Sequence, residues 1–278
     1  MTSESDAETN TTETSTFPGL RTVAATRNVT PFREGGSVPG LMEAEDDGMY
    51  VVKYRGAAQG PRALIAELLG GEIGRALGLP VPELVFIDLD PVLANAEPDP
   101  EIQDLIKASG GLNLGLDFLP GSLAFVPSVA PPLVPTLAAD VVWFDAFIMN
   151  VDRTPRNPNL LLWHRKLWLI DHGAALYPTH AWREMDARAR SAFPQIADHI
   201  LLPFAGSVGE VGERLRDRLT PEILSAIVAA IPLDWLEPHE PFASPEEMRA
   251  AYLDFLVRRL EAAPIFAEEA ERARTRGL

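Results

Sequence analysis

Residues 150–173, NVDRTPRNPNLLLWHRKLWLIDHG, set Asp152, Asn157 and Asn159 in one short run and Asp171 just beyond an apolar strand-turn-strand. That density of carboxylates and amides exceeds what a connecting loop needs, because each polar group near a core must find a partner or cost stability. A loop and a hairpin end so spaced can bring the Asn157 side-chain oxygen and the Asp171 carboxylate onto one Mg2+. This hard cation favours oxygen ligands and few protein contacts, which leaves its other positions to phosphate and water. Asp152 is then free to face a substrate hydroxyl. A metal, a phosphate-holding cation and a base are the parts that phosphoryl transfer requires.

Taken singly, these residues have plainer readings. Asp152 could end a helix with Arg153 as its surface ion pair, and Asn157-Pro158-Asn159 could be turn chemistry. The ordered set favours a site. Asp145, on the apolar run before the loop, either hydrogen-bonds that loop or faces solvent as a cap. His172 packs or hydrogen-bonds beside Asp171; a zinc site is disfavoured, since there is no cysteine and no close histidine pair. Trp143, Trp163 and Trp168 read as core or hairpin packing, because nothing basic is interleaved with them.

The elements around this run follow from its flanks. LAADVVWFDAFIMN, before the loop, is a strongly apolar helix, and LLLWHRKLWLI is a hairpin. Upstream, LRTVAATRNVTPF is a strand or extended arm. LMEAEDDGMYVVKYRG is a β-hairpin turning at Asp46-Asp47-Gly48, where the glycine is expected to supply the positive φ, and its second strand carries Lys53. A helix starts at Pro61, with apolar residues at helical spacing from Leu64 to Leu77, and stops at Gly78 and Pro80. The strand ELVFIDL and a second helix from Asp99-Pro100 to Gly110-Gly111 complete the first half. Further helices are expected at VGERLRDRL, PEILSAIVAAI and SPEEMRAAYLDFLVRRLEAA. The fold class is α+β, mixed in the first half and mostly helical afterwards.

Composition narrows the function. The chain has 278 residues, 46% of them apolar, which suffices for a real core. With no cysteine, disulfide frameworks, thiolate metal sites and cysteine nucleophiles are excluded, and a cytoplasmic, reducing setting is expected. A net charge of -16 argues against direct nucleic-acid binding, which depends on clustered Lys and Arg. No run approaches the ~20 apolar residues of a membrane span. Residues 1–18 form an acidic, Ser/Thr-rich segment expected to be disordered.

The run DRTPRNPNLL followed by LWLIDHG resembles the catalytic loop and metal-binding turn of the HipA-like kinases, an atypical branch of the protein-kinase-like and phosphatidylinositol-kinase-like fold. The resemblance spans roughly residues 20–200. It implies a two-lobed fold, with a small β-rich N-lobe over residues 19–119 holding one main helix, and a mostly helical C-lobe over residues 120–278. It implies ATP and Mg2+ as cofactors, Asp152 as catalytic base and Asn157 and Asp171 as magnesium ligands. Asn159 orients the loop or supports the metal. In the first half, YVVKY followed by a helix and GLPVPE resembles the small lobe of the same kinases. Lys53 would hold the ATP phosphates, aligned by a helix glutamate. Spacing back from Gly78 points to Glu67, whereas the helical wheel sets Glu72 nearer the middle of the apolar stripe; Glu67 is preferred and Glu72 stays open. Gly35, Gly36 and Ser37 would form a turn covering the phosphates with backbone N–H groups.

There are departures from the ordinary kinase pattern. His172 stands where the metal turn usually has Phe, Asn150-Val151-Asp152 replaces a His-Arg-Asp triplet, and no full Gly-x-Gly-x-x-Gly is present. These fit the atypical branch. The implied activity is transfer of the γ-phosphoryl group to a hydroxyl, with a protein Ser or Thr as acceptor class. An ATP-binding pseudokinase acting as a scaffold and a lipid or small-molecule kinase of the same fold are the alternatives. A DNA-binding antitoxin-type partner is a further implication, one that leaves no mark in this sequence.

Overall fold

The computed structural model describes residues 19–31 and 39–276. Its first part is β-rich. Strands β1 (Thr22–Pro31), β2 (Gly40–Ala44) and β3 (Met49–Lys53) run antiparallel in succession. Helix α1 (Gly60–Ala76), strand β4 (Leu84–Leu89), helix α2 (Pro100–Ala108) and strand β5 (Gly111–Asp117) follow. Strand β5 inserts between β3 and β4, and a parallel pairing of β1 with β4 closes a five-stranded barrel in the order β1-β2-β3-β5-β4.

The two-residue period of a strand decides what lines that barrel. Tyr50, Val52 and Tyr54 turn inward with Met42, Val85 and Ile87. Lys53, between two of them, must therefore face out of the barrel, toward α1. The β2–β3 turn departs from expectation in one respect: Asp47, at φ 61°, takes the left-handed conformation instead of Gly48. Gly48 is required for another reason, since a Cβ there would lie 2.6 Å from the Tyr50 hydroxyl oxygen.

Helix α1 is buried continuously from Leu64 to Gly74 and belongs to the core shared by the barrel part and the helical part. A helix with no solvent-facing stripe is buried on all sides, and this one is. Small residues let its neighbours approach: a Cβ on Gly70 would lie 2.7 Å from the Cβ of His172.

The remainder is mostly helical. Strand β6 (Leu123–Ala124) leads to helix α3 (Pro135–Ile148), then β7 (Leu160–Trp163) and β8 (Lys166–Leu169) make the expected hairpin, joined by β6 into a three-stranded sheet. Helices α4 (Met185–Ala189), α5 (Val208–Arg218), α6 (Pro221–Ala229), α7 (Pro245–Glu261) and α8 (Ala263–Arg276) follow; α5, α7 and α8 pack on α3, α6 on α1 and α7, and α4 on α7, and neither α4 nor α8 was expected from the sequence. Helix α3 is apolar almost throughout, and its residues from Val141 to Ile148 are fully buried, Asp145 included. It ends at Met149, in the left-handed conformation at φ 54°, with its N–H returned to the Asp145 carbonyl. That reversal launches the polar loop at residue 150.

Candidate active site

The loop of residues 150–159 is held from below by Asp145. Its carboxylate is fully buried and accepts from Arg153 Nε at 2.6 Å, His199 Nε2 at 2.8 Å and Asn150 Nδ2 at 3.0 Å. Leu201 N–H donates to His199 Nδ1, which fixes the ring with its proton on Nε2, facing Asp145. Burial alone would push the Asp145 carboxyl up, but the adjacent Arg153 guanidinium and the His199 hydrogen bond hold it below the ordinary carboxylate range. Both plain readings fail here: Arg153 is 1% exposed and is not a surface partner of Asp152, and Asp145 does not face solvent. Arg153 also donates to the backbone carbonyls of Asn159 and Ile170, tying both ends of the loop-hairpin unit to α3.

A second buried cation fixes the end of α3. Arg259 of α7 donates to the carbonyls of Ala146 and Phe147 and stacks on Phe266 with its guanidinium 4.4 Å from the ring centre. A cation against the last carbonyls of a helix satisfies acceptors that have no intrahelical donor. Burial lowers this guanidinium to about 9. Arg259 carried no signal in the sequence, where an arginine in a Glu- and Arg-rich helix reads as solvated.

Above this base, Asp152 Oδ2 accepts from Asn157 Nδ2 at 2.7 Å and from Asn159 Nδ2 at 3.3 Å. Asn159, at φ 49°, also donates to the Asp171 carbonyl at 3.4 Å, so one side chain spans the loop and the turn after β8. Asp171 is itself in the left-handed conformation, at φ 56°, which turns its carboxylate back toward the barrel. There it meets Lys53, whose ammonium donates to Asp171 Oδ1 and, at 2.7 Å, to Glu67 Oε2.

Glu67, not Glu72, is thus the glutamate that meets Lys53. Glu72 is buried on another face of α1, 3.4 Å from Arg75, and desolvation raises its carboxyl to about 7. Glu67 is completely buried; desolvation opposes its charge, but Lys53 and His172 outweigh it and its carboxyl stays well below the ordinary value. Burial likewise opposes the Lys53 charge, and Glu67 and Asp171 together raise its ammonium above the ordinary lysine value. The same Glu67 oxygen accepts the His172 backbone N–H at 2.7 Å. The His172 ring is buried, with its Nδ1 3.5 Å from Glu67 Oε1 and its edge toward Phe144.

A cleft of about 820 Å³ opens over these groups, lined by Lys53, Asp152, Asn157, Asn159 and Asp171 among others, with Leu160, Leu161 and Ile170 as an apolar wall. Of the candidate residues, only Gly35, Gly36 and Ser37 lie outside the described residues. The arrangement supplies one largely buried cation at Lys53, hard-oxygen donors at the exposed Asn157 and the half-buried Asp171, and a carboxylate oriented by two amides. Hard oxygens at the mouth of a roomy cleft suit Mg2+ shared with phosphates.

The chain matches the model of the HipA-like kinase family over residues 27–266 and belongs to that family. Among solved structures, it is similar to a Helicobacter pylori proinflammatory kinase, CtkA, at 14% identity, with 93% of this chain and 99% of that one covered and a TM-score of 0.49. No curated protein matches. Among the described residues, no helix is long and apolar enough to cross a membrane.

Proposed function

We propose that the protein is an ATP- and Mg2+-dependent kinase with a two-lobed kinase-like fold. Residues 19–119 would form its N-lobe and residues 120–278 its C-lobe, and its acceptor is a protein Ser or Thr hydroxyl. The observation that carries this reading is the Lys53 ammonium, shared between Glu67 of α1 and Asp171 beyond β8, at a cleft that Asp152 also lines. A cation taken out of water against two carboxylates is costly to build unless it has work to do on an anion.

In this reading Lys53 binds the ATP phosphates and Glu67 keeps it in place. Asn157 and Asp171 would hold Mg2+, which when bound neutralises charge on the phosphates. Asp152 aligns the acceptor hydroxyl and takes its proton as the oxygen attacks. Asn157 and Asn159 keep its carboxylate at one angle. His172, on the buried side of the metal turn, links that turn to Glu67 through its own N–H. Gly35, Gly36 and Ser37 would cover the phosphates.

Transfer of label from γ-labelled ATP to the protein or to extract proteins, compared between wild type and Asp152→Ala, tests the reading. Label that requires Asp152 is the expected result. ATP binding without transfer would instead indicate a pseudokinase scaffold, transfer confined to lipids or small molecules would move the acceptor class, and no binding would end the proposal.

A further inference from the structure

A second groove, of about 690 Å³, adjoins the loop that carries Asp152. Thr154, Pro155 and Arg156 form its loop side, and Asp198, Ile200 and Pro203 are among its other lining residues. It shares no residue with the 820 Å³ cleft, yet the loop gives residues to both: Asp152 and Asn157 to the cleft, and the three residues between Arg153 and Asn157 to the groove. The groove is also rigidly referenced to Asp152. The Ile200 N–H donates to the Arg153 carbonyl at 3.1 Å, and His199 is bonded to the same Asp145 that holds Arg153.

Its lining carries the charged side chains of Arg156, Arg274 and Asp198. Arg156 is exposed and, among the described residues, its side chain makes no ion pair or hydrogen bond. In a chain with 40 acids and 24 Lys and Arg, a cation without a carboxylate partner is available to something else. Arg274, the other groove cation, is engaged by Glu271 at 3.0 Å, and Asp198 is the groove's carboxylate. Arg156 is four residues from Asp152 on the one loop that lines both the groove and the cleft.

We propose that this groove seats the acceptor chain and selects one with acids beside its hydroxyl, and that the protein's own segment 1–17 is such an acceptor. The inference rests on the kinase reading above. Segment 1–17 has four acids, no Lys or Arg, and nine Ser or Thr, with Ser3, Ser5, Thr9, Thr12 and Thr14 each adjacent to an acid. Eighteen residues precede Gly19, an extended reach of about 60 Å, and the segment's charge complements Arg156. In the transfer, the acceptor hydroxyl oxygen bonds to the γ-phosphorus and the bond from that phosphorus to the β–γ bridging oxygen breaks. The hydroxyl proton passes to Asp152 and ADP leaves.

The test uses the full-length protein with MgATP and two synthetic peptides: residues 1–17 as they stand, and the same peptide with Glu4, Asp6, Glu8 and Glu13 each changed to Lys. Wild type should phosphorylate the acidic peptide with a KM about tenfold lower than the basic one. Arg156→Lys should keep that preference and Arg156→Glu should reverse it. Equal KM values in wild type, or a preference that survives Arg156→Glu, would overturn the proposal. In parallel, mass spectrometry of the ATP-treated protein should find phosphate within residues 1–17. Labelled extract proteins with an unmodified segment would overturn this inference and leave the kinase reading standing; no transfer to any acceptor by the folded protein would overturn both.

Discussion

Lys53 Nζ lies 2.7 Å from Glu67 Oε2, in a pair whose carboxylate is fully buried and whose ammonium also reaches Asp171 from the helical part of the chain. One cation therefore joins β3, α1 and the turn after β8. Removing it strands a buried carboxylate, and such truncations cost about 3–5 kcal/mol. Lys53→Met should lose that much stability in urea denaturation, and Lys53→Met with Glu67→Gln should regain most of it. Neither should transfer phosphate at more than about a hundredth of the wild-type rate, since the group proposed to bind the phosphates is gone in both. A single variant as stable as wild type would show that the pair is not charged.

The pH dependence of the same pair has a definite sign. The Glu67 carboxyl is depressed, so its contribution is complete above its ordinary value of 4.5 and is lost as pH falls through the folded value. The Lys53 ammonium is raised, so its contribution is complete below its ordinary 10.5 and is lost as pH rises through the folded value. The stability gap between wild type and the double variant should thus be widest between about pH 5 and pH 10 and narrow on acidification. Denaturation midpoints at pH 3, 7 and 9 would check this, and a gap that grows in acid would contradict it.

Asp145 and Arg153 make the comparable pair beneath the loop, at 2.6 Å with neither side chain exposed. Asp145→Ala leaves the Arg153 guanidinium buried without its carboxylate and should cost about 3–5 kcal/mol. Because Asp145 touches the loop and not the cleft, the variant should still bind ATP where it is folded, while transfer falls with the misplacement of Asp152. ATP affinity and turnover measured on one sample separate the two. A parallel loss of both would mean that Asp145 supports the whole fold and not the loop in particular.

How much of this was legible beforehand depended on whether burial could be read from neighbours in the chain. Strands β1 to β4, α1, α3 and the β7–β8 hairpin carry alternating or strongly apolar runs and appear in the structure, whereas β5, which has glycines at 111 and 115 in place of side chains that would show an alternation, was not expected as a strand. Helix α8 did not stand out, because its core face is largely alanine, at positions 263, 267, 270 and 273, and small side chains give a faint pattern. The choice between Glu67 and Glu72 could not be made from an apolar stripe on a helix buried on every side. Asp145, Arg153 and Arg259 are polar residues whose burial depends on partners 5 to 113 positions away, which no local pattern records.

Gly70 sets how closely α1 approaches the turn after β8. A Cβ at this position would lie 2.7 Å from the Cβ of His172 and 3.2 Å from its Cγ, atoms that cannot swing aside as the end of a long side chain can. Gly70→Ala should therefore push the turn away from α1 in spite of the better helix propensity of alanine, at a cost of about 1–3 kcal/mol. The displaced turn carries Asp171, so ATP affinity should fall as well. Gly60→Ala is a useful contrast: it meets no neighbour within 4 Å, and its cost comes from its φ of 64° alone. If Gly70→Ala were neutral in both stability and affinity, the contact between α1 and His172 would be slack.

Glu72 provides a reversed pH signature on the same helix. Desolvation raises its carboxyl to about 7, with Arg75 only partly offsetting the effect and Glu83 adding to it. An acid whose folded value lies above its unfolded value binds more protons in the folded state, so it favours the fold at low pH and progressively disfavours it as pH rises from about 4.5 toward about 7. Glu72→Gln keeps the shape and removes the charge. It should leave stability nearly unchanged at pH 4.5 and raise it by about 1–3 kcal/mol at pH 8, read from urea denaturation at the two pH values. Glu67→Gln should do the opposite at pH 8, lowering stability, because there the charged form is the one the fold uses. Two glutamates five residues apart on one helix would then report opposite electrostatic environments, one beside the Lys53 ammonium and one without an equal counter-charge. A loss of stability at pH 8 in both variants would mean that Arg75 neutralises Glu72 more fully than its 3.4 Å separation implies.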